Sequence, residues 1–147
     1  MRPRLTVLVA LGSLACGGGA APGKLAPQSP QETLAQFMAA VKANDLERMR
    51  TLWGNERGLA SAHLKSEDVN QRLTVLQIYL NHVGYRVLEG PLPVPNKEER
   101  RTFRVELERA TSCKVVVPIE VARKDGRWLV VGTDLASIPN PAQACKS

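Results

Sequence analysis

Apolar residues keep helical spacing in the first half of the chain and strand spacing in the second. Ser29-Pro30-Gln31-Glu32 has the grammar of a helix start, with Ser as cap, Pro in the first turn and Glu three residues on to close a capping box. Leu34, Phe37, Met38 and Val41 follow at the spacing of one apolar stripe. Asn44 stops this helix. Asp45 can cap a short second one, with Leu46, Met49, Leu52 and Trp53 inward and Gly54 at its end. No period runs through 55–65, which reads as a loop. Ser66-Glu67-Asp68 opens a third helix, its acidic groups at the positive end of the helix dipole. Val69, Leu73, Leu76 and Leu80 make its stripe, and Gly84 is its expected stop.

From Tyr85 the period shortens to two. Tyr85–Glu89 predicts a short strand, and Pro91, Pro93 and Pro95 predict an extended connection that cannot pair regularly. In 102–109, Phe103, Val105 and Leu107 alternate with Arg104, Glu106 and Glu108; in 114–123, Val115, Val117, Ile119 and Val121 share one face. Asp125-Gly126 is a two-residue hairpin turn, and 127–133 is the returning strand. The turn sets Val121 opposite Val130 and Arg123 opposite Trp128, and by the same count Cys113 opposite Ile138. Val130 then joins the core face. The other face carries Val116, Ala122, Leu129 and Val131, which predicts cover by the C-terminal tail or by a second subunit, a homodimer. The class is α+β: three N-terminal helices packed on a curved antiparallel sheet of about four strands.

The N-terminus has its own pattern. Arg2 and Arg4 precede a ten-residue apolar run, Leu5–Leu14. As a helix that run spans only about 15 Å, half of a bilayer core. Residues 1–15 therefore read as an export signal and not as a membrane span. Ser13-Leu14-Ala15-Cys16 resembles the end of a bacterial lipoprotein signal, in which a small residue precedes a cysteine that is lipidated and becomes the new N-terminus. Ser13 stands where that pattern usually has a branched aliphatic residue, and cleavage after a small residue such as Ala21 is the alternative, giving a soluble secreted or periplasmic protein. Residues 16–28, rich in Gly, Ala and Pro, form a flexible tether. Gly17 after the cysteine carries no acidic retention signal, so the resemblance implies anchoring to the bacterial cell envelope through the lipid on Cys16, at the outer rather than the inner membrane.

Composition narrows the picture. The 147 residues suit one domain, and 44% hydrophobic residues exclude a disordered chain. The formal charge is +6; without Arg2 and Arg4 the balance is 18 basic against 14 acidic, or +4, spread rather than clustered. Lys97-Glu98-Glu99-Arg100-Arg101 is interrupted by acids and reads as a charge-protected edge strand. With six aromatic residues there is no base-stacking platform, so nucleic acid is not expected as a partner. Setting Cys16 aside leaves Cys113 and Cys145, an even pair in an oxidising compartment. The seven residues from Ile138, bent by Pro139 and Pro141, can return Cys145 to the ~5.5 Å Cα separation a bridge needs, so a disulfide is expected to clamp the tail, 136–147.

Two stretches carry a resemblance. Glu32-Thr33-Leu34-Ala35-Gln36-Phe37-Met38-Ala39-Ala40-Val41-Lys42-Ala43-Asn44-Asp45-Leu46-Glu47-Arg48-Met49 is similar to the first two helices, and the polar break between them, of the nuclear transport factor 2-like superfamily. Val121-Ala122-Arg123-Lys124-Asp125-Gly126-Arg127-Trp128-Leu129-Val130 is similar to its closing hairpin. The resemblance covers 29–135. It implies a cone whose mouth, between helices and sheet, holds a ligand or an active site, with acidic and histidine side chains inside in catalytic members.

Few residues answer that description. His63 and His82 are the two histidines, and no His-x-Glu, CxxC or phosphate-binding glycine pattern accompanies them. No metal and no cofactor is expected. His82, near the end of the third helix, reads first as a cap on its carbonyls. Its catalytic alternative, in an isomerase- or hydratase-like enzyme, would need Asp134 or Glu120 as acidic partner. Trp53, Tyr79, His82 and Trp128 are the candidates for a pocket wall. The expected function is thus non-catalytic: binding a small apolar ligand or a protein partner at the envelope, the rivals being the His82 enzyme and an assembly protein that self-associates through the outer sheet face.

Overall fold

Ser29 caps the first helix as the sequence predicts. In the computed structural model, which describes residues 25–143 and Cys145, its hydroxyl accepts from Glu32 N at 3.1 Å, and α1 runs Pro30–Lys42. Glu32 closes the box one residue early: its carboxylate accepts from Gln28 N at 2.7 Å rather than from the cap itself. Asn44 takes a left-handed conformation (φ 53°), and Asp45 caps α2, Leu46–Leu52, by accepting from Arg48 N at 2.9 Å.

The expected loop over 55–65 is more ordered than its lack of period suggested. Two short strands, β1 (Gly54–Asn55) and β2 (Gly58–Leu59), form a flap, and a 3-10 turn follows at Ala60–Ala62. Two residues per strand are too few for a period to register. Helix α3 spans Ser66–Leu80 and buries Val69, Leu73, Leu76 and Leu80. Its ends differ from expectation. Lys65 is the N-cap, with no side-chain bond, and Asn81 is the C-cap, so Gly84 does not end the helix but begins the next strand.

Strands β3 (Gly84–Val94), β4 (Lys97–Glu108), β5 (Lys114–Lys124) and β6 (Arg127–Thr133) form an antiparallel sheet in that order. The prolines do not interrupt β3. It is an edge strand, where a missing N–H can face solvent, and it pairs with β4 through register shifts between Val87 and Val94. Gly90 sits at one such irregularity with φ 116°, where an added Cβ would lie 2.7 Å from Thr102 O. The closing hairpin keeps its predicted register, Val121 against Val130 and Arg123 against Trp128, as far as Val121. A bulge then shifts Glu120 to Gly132, so the count that placed Cys113 opposite Ile138 fails by one residue.

Phe103, Val105, Leu107, Val117, Ile119, Val121 and Val130 face Phe37, Met38, Met49, Leu52, Leu73 and Leu80, and none is more than 1% exposed. Each such side chain contributes about 1.5–3 kcal/mol on burial. The helices roof the sheet, and these side chains form one core cluster between them. On the other sheet face Ala122 and Leu129 are also buried, and within the chain it is the flap, not the tail, that lies against Leu129. A Cβ on Gly54 would lie 2.6 Å from Leu129 Cδ1, and Glu56 at the flap's tip pairs with Arg100 and with Lys124 (3.8 Å). Arg100 holds the Glu56 carboxyl below the usual carboxylate range. Val116, beyond the flap, stays 40% exposed.

Candidate functional site

A cleft of about 500 Å³ lies where the end of α3, the β4–β5 connection and the C-terminal tail meet. Apolar side chains of Ile78, Val83, Val115, Pro139 and Pro141 form much of its wall. His82 and Arg109 also line it, and both are largely buried, at 5% and 9% exposure.

Both residues attend to the carbonyl end of α3. A carbonyl can only accept, so the 2.9 Å contact of His82 Nδ1 with Leu80 O places the proton on Nδ1. Nε2 is then the acceptor nitrogen, and among the described residues it has no protein partner. The ring meets Tyr85 edge to face, with centroids 5.4 Å apart. Burial, followed by the charges of Lys42 and Arg109, lowers the imidazole pKa, while the Leu80 bond opposes the shift. Arg109 donates to Asn81 O at 2.8 Å and to Tyr79 O, and Lys42 Nζ donates to Val83 O at 2.8 Å. A guanidinium and an imidazole thus satisfy carbonyls that the helix end leaves without partners, and Lys42 serves one in the segment that follows.

Arg109 also shapes the connection. Its N–H donates to Cys113 O at 2.8 Å and its carbonyl accepts from Ser112 N at 2.9 Å, with Ser112 left-handed at φ 63°. The turn presents Cys113 to the tail, and the predicted disulfide is present: Cys113 and Cys145 are bonded, with Cα atoms 5.9 Å apart. Thr111 Oγ1 donates to Cys113 Sγ at 3.1 Å. Among the described residues the tail from Pro139 to Gln143 makes its hydrogen bonds within itself, Gln143 N to Asn140 O at 3.0 Å and Ala142 N to Asn140 Oδ1 at 2.9 Å. Ile138, 4% exposed, plugs it into the core.

The four predicted wall residues do not converge. Only His82 lines the large cleft. Trp53 lines a shallow groove of about 490 Å³ between α3 and β6, and Trp128 a hollow of about 240 Å³ beside Ala26–Gln28. Tyr79 packs half-buried against the core and offers its carbonyl to Arg109. Neither proposed acidic partner reaches His82: Glu120 accepts from Arg100 at 2.7 Å on the outward sheet face, and Asp134 caps the 3-10 turn Leu135–Ser137 through Ala136 N at 3.1 Å. Arg109 and the tail wall were missed. One signal was available for Arg109, which falls on the inward parity of Phe103, Val105 and Leu107. Cys16 and the export signal lie outside the described residues.

No protein-family model and no curated protein matches the sequence. Among solved structures, the chain is similar to a Campylobacter jejuni protein named as an NTF2-like transpeptidase, at a TM-score of 0.52 and 16% identity. The match covers 71% of this chain and 99% of that one. At such low identity the likeness bears on architecture, and with three helices roofing a four-stranded antiparallel sheet it identifies the fold as nuclear transport factor 2-like.

Proposed function

We propose that this chain is an envelope lipoprotein, tethered through Cys16, whose domain binds a small apolar ligand without transforming it. The supporting observation is the cleft: about 500 Å³, within the range of small-molecule sites, apolar along much of its wall, at one end of the core cluster. Polar side chains share the rest of the wall and can orient a ligand. Nε2 of His82 is left as an acceptor for a ligand donor, and the Nδ1 proton is held by a backbone carbonyl in place of a catalytic carboxylate.

A neutral fluorescent probe such as 1-aminoanthracene tests the binding role. It should bind with micromolar affinity, and Val115→Arg, which fills the cleft from β5, should weaken binding at least tenfold while the circular dichroism spectrum is kept. Undiminished binding to the variant would place the site elsewhere. Mass spectrometry of the chain isolated from bacterial membranes should show a diacylglyceryl Cys16 at the N-terminus; a free N-terminus at Pro22 would refute the anchor.

A further inference from the structure

Among the described residues the charged side chains that line the cleft are of one sign: Arg109 and Lys114 line it, and no aspartate or glutamate does. Arg109 is 9% exposed and meets only backbone carbonyls, at Asn81 and Tyr79; among the described residues no ion pair includes it or Lys42. A buried charge is ordinarily paired, and two carbonyl dipoles do not neutralise a guanidinium. Lys114 has a carboxylate neighbour, Glu106, at 3.6 Å, and its side chain is 60% exposed where the residue borders the cleft. The charges acting on His82 are likewise both cationic, Lys42 and Arg109.

We infer that the cleft takes an amphiphilic monocarboxylate, its anionic head on Arg109 and Lys114 and its short apolar chain along Ile78, Val83, Val115 and Pro139. Arg109 has five N–H donors in a planar fork, and its two carbonyl bonds leave donors for a carboxylate. The apolar wall excludes water from the chain and lowers the local dielectric, which strengthens the ion pair at the head. The inference rests on the cleft being the ligand site and adds the class of ligand.

Octanoate and 1-octanol, which share a chain and differ in the head, separate the two readings. By isothermal titration at low ionic strength, octanoate should bind at least tenfold tighter than 1-octanol. That preference should shrink as salt is raised, because the lysine at the mouth is screened. In Lys114→Gln the preference should fall to threefold or less, and in Arg109→Gln it should vanish. Since Arg109 also caps α3, the lysine variant and the salt series stand without it. Octanol binding as tightly as octanoate overturns the anionic ligand and leaves the apolar cleft in place. Binding of neither compound removes the cleft as a ligand site and this inference with it.

Discussion

Arg109 follows the inward row Phe103, Val105 and Leu107, where the alternation calls for an apolar side chain, and its guanidinium instead closes the end of α3. His82 does the same from the helix side, and the two meet in one cleft. The consequence for pH follows from direction. The folded imidazole has a lowered pKa, so between the unfolded value, about 6.5, and the folded one the unfolded chain binds more protons. Stability is therefore fully present above that window and is lost as pH falls through it. The groups facing the ring are Lys42 on α1, Arg109 after β4, Tyr85 on β3 and the Leu80 carbonyl. The melting temperature should drop between about pH 7.5 and 5.5 by more in the native protein than in His82→Gln; equal drops would show that His82 is not the source. His82 could be read as a helix cap from position alone, whereas Arg109 could not, since an arginine at a strand end is usually solvated.

The flap and the edge strand show where periodicity stops informing. Helices α1 and α3 and strands β4 to β6 have long stripes, and their buried faces follow from the sequence. Prolines fit β3 because the rule against them holds for strands paired on both sides, and among the described residues β3 has one neighbour. The bulge at Glu120 and Val121 left no mark in an apolar pattern that continues through it. The flap closes the outer sheet face through contact so close that glycine is needed: a Cβ at Gly54 would lie 2.5 Å from Gly58 O and 2.6 Å from Leu129 Cδ1. Gly54→Ala should lift the flap, cost about 2 kcal/mol in urea unfolding and raise the fluorescence of a dye that binds exposed apolar surface. A variant with native stability would mean that Leu129 is covered by something else.

Across the whole molecule the disulfide is the covalent tie between the tail and the sheet. Closing a loop with a sequence separation of 32, it contributes about 3 to 4 kcal/mol in the chain-entropy model. Cys145→Ser should lower the non-reducing melting temperature with strand content unchanged, and limited proteolysis should then cut first between Pro139 and Gln143. Melting identical to the native protein would exclude a stabilising bridge. The same tail walls the cleft, so losing the bridge should weaken binding of the neutral probe as well.

Ala26–Gln28 lies beside the Gly126 turn, whereas Cys113 and Lys114, at the far end of β5, border the cleft. Eleven residues of strand separate these two poles, about 35 Å at 3.2–3.4 Å per residue. The domain is therefore directional. A ligand bound as proposed would enter at the pole remote from Ala26–Gln28.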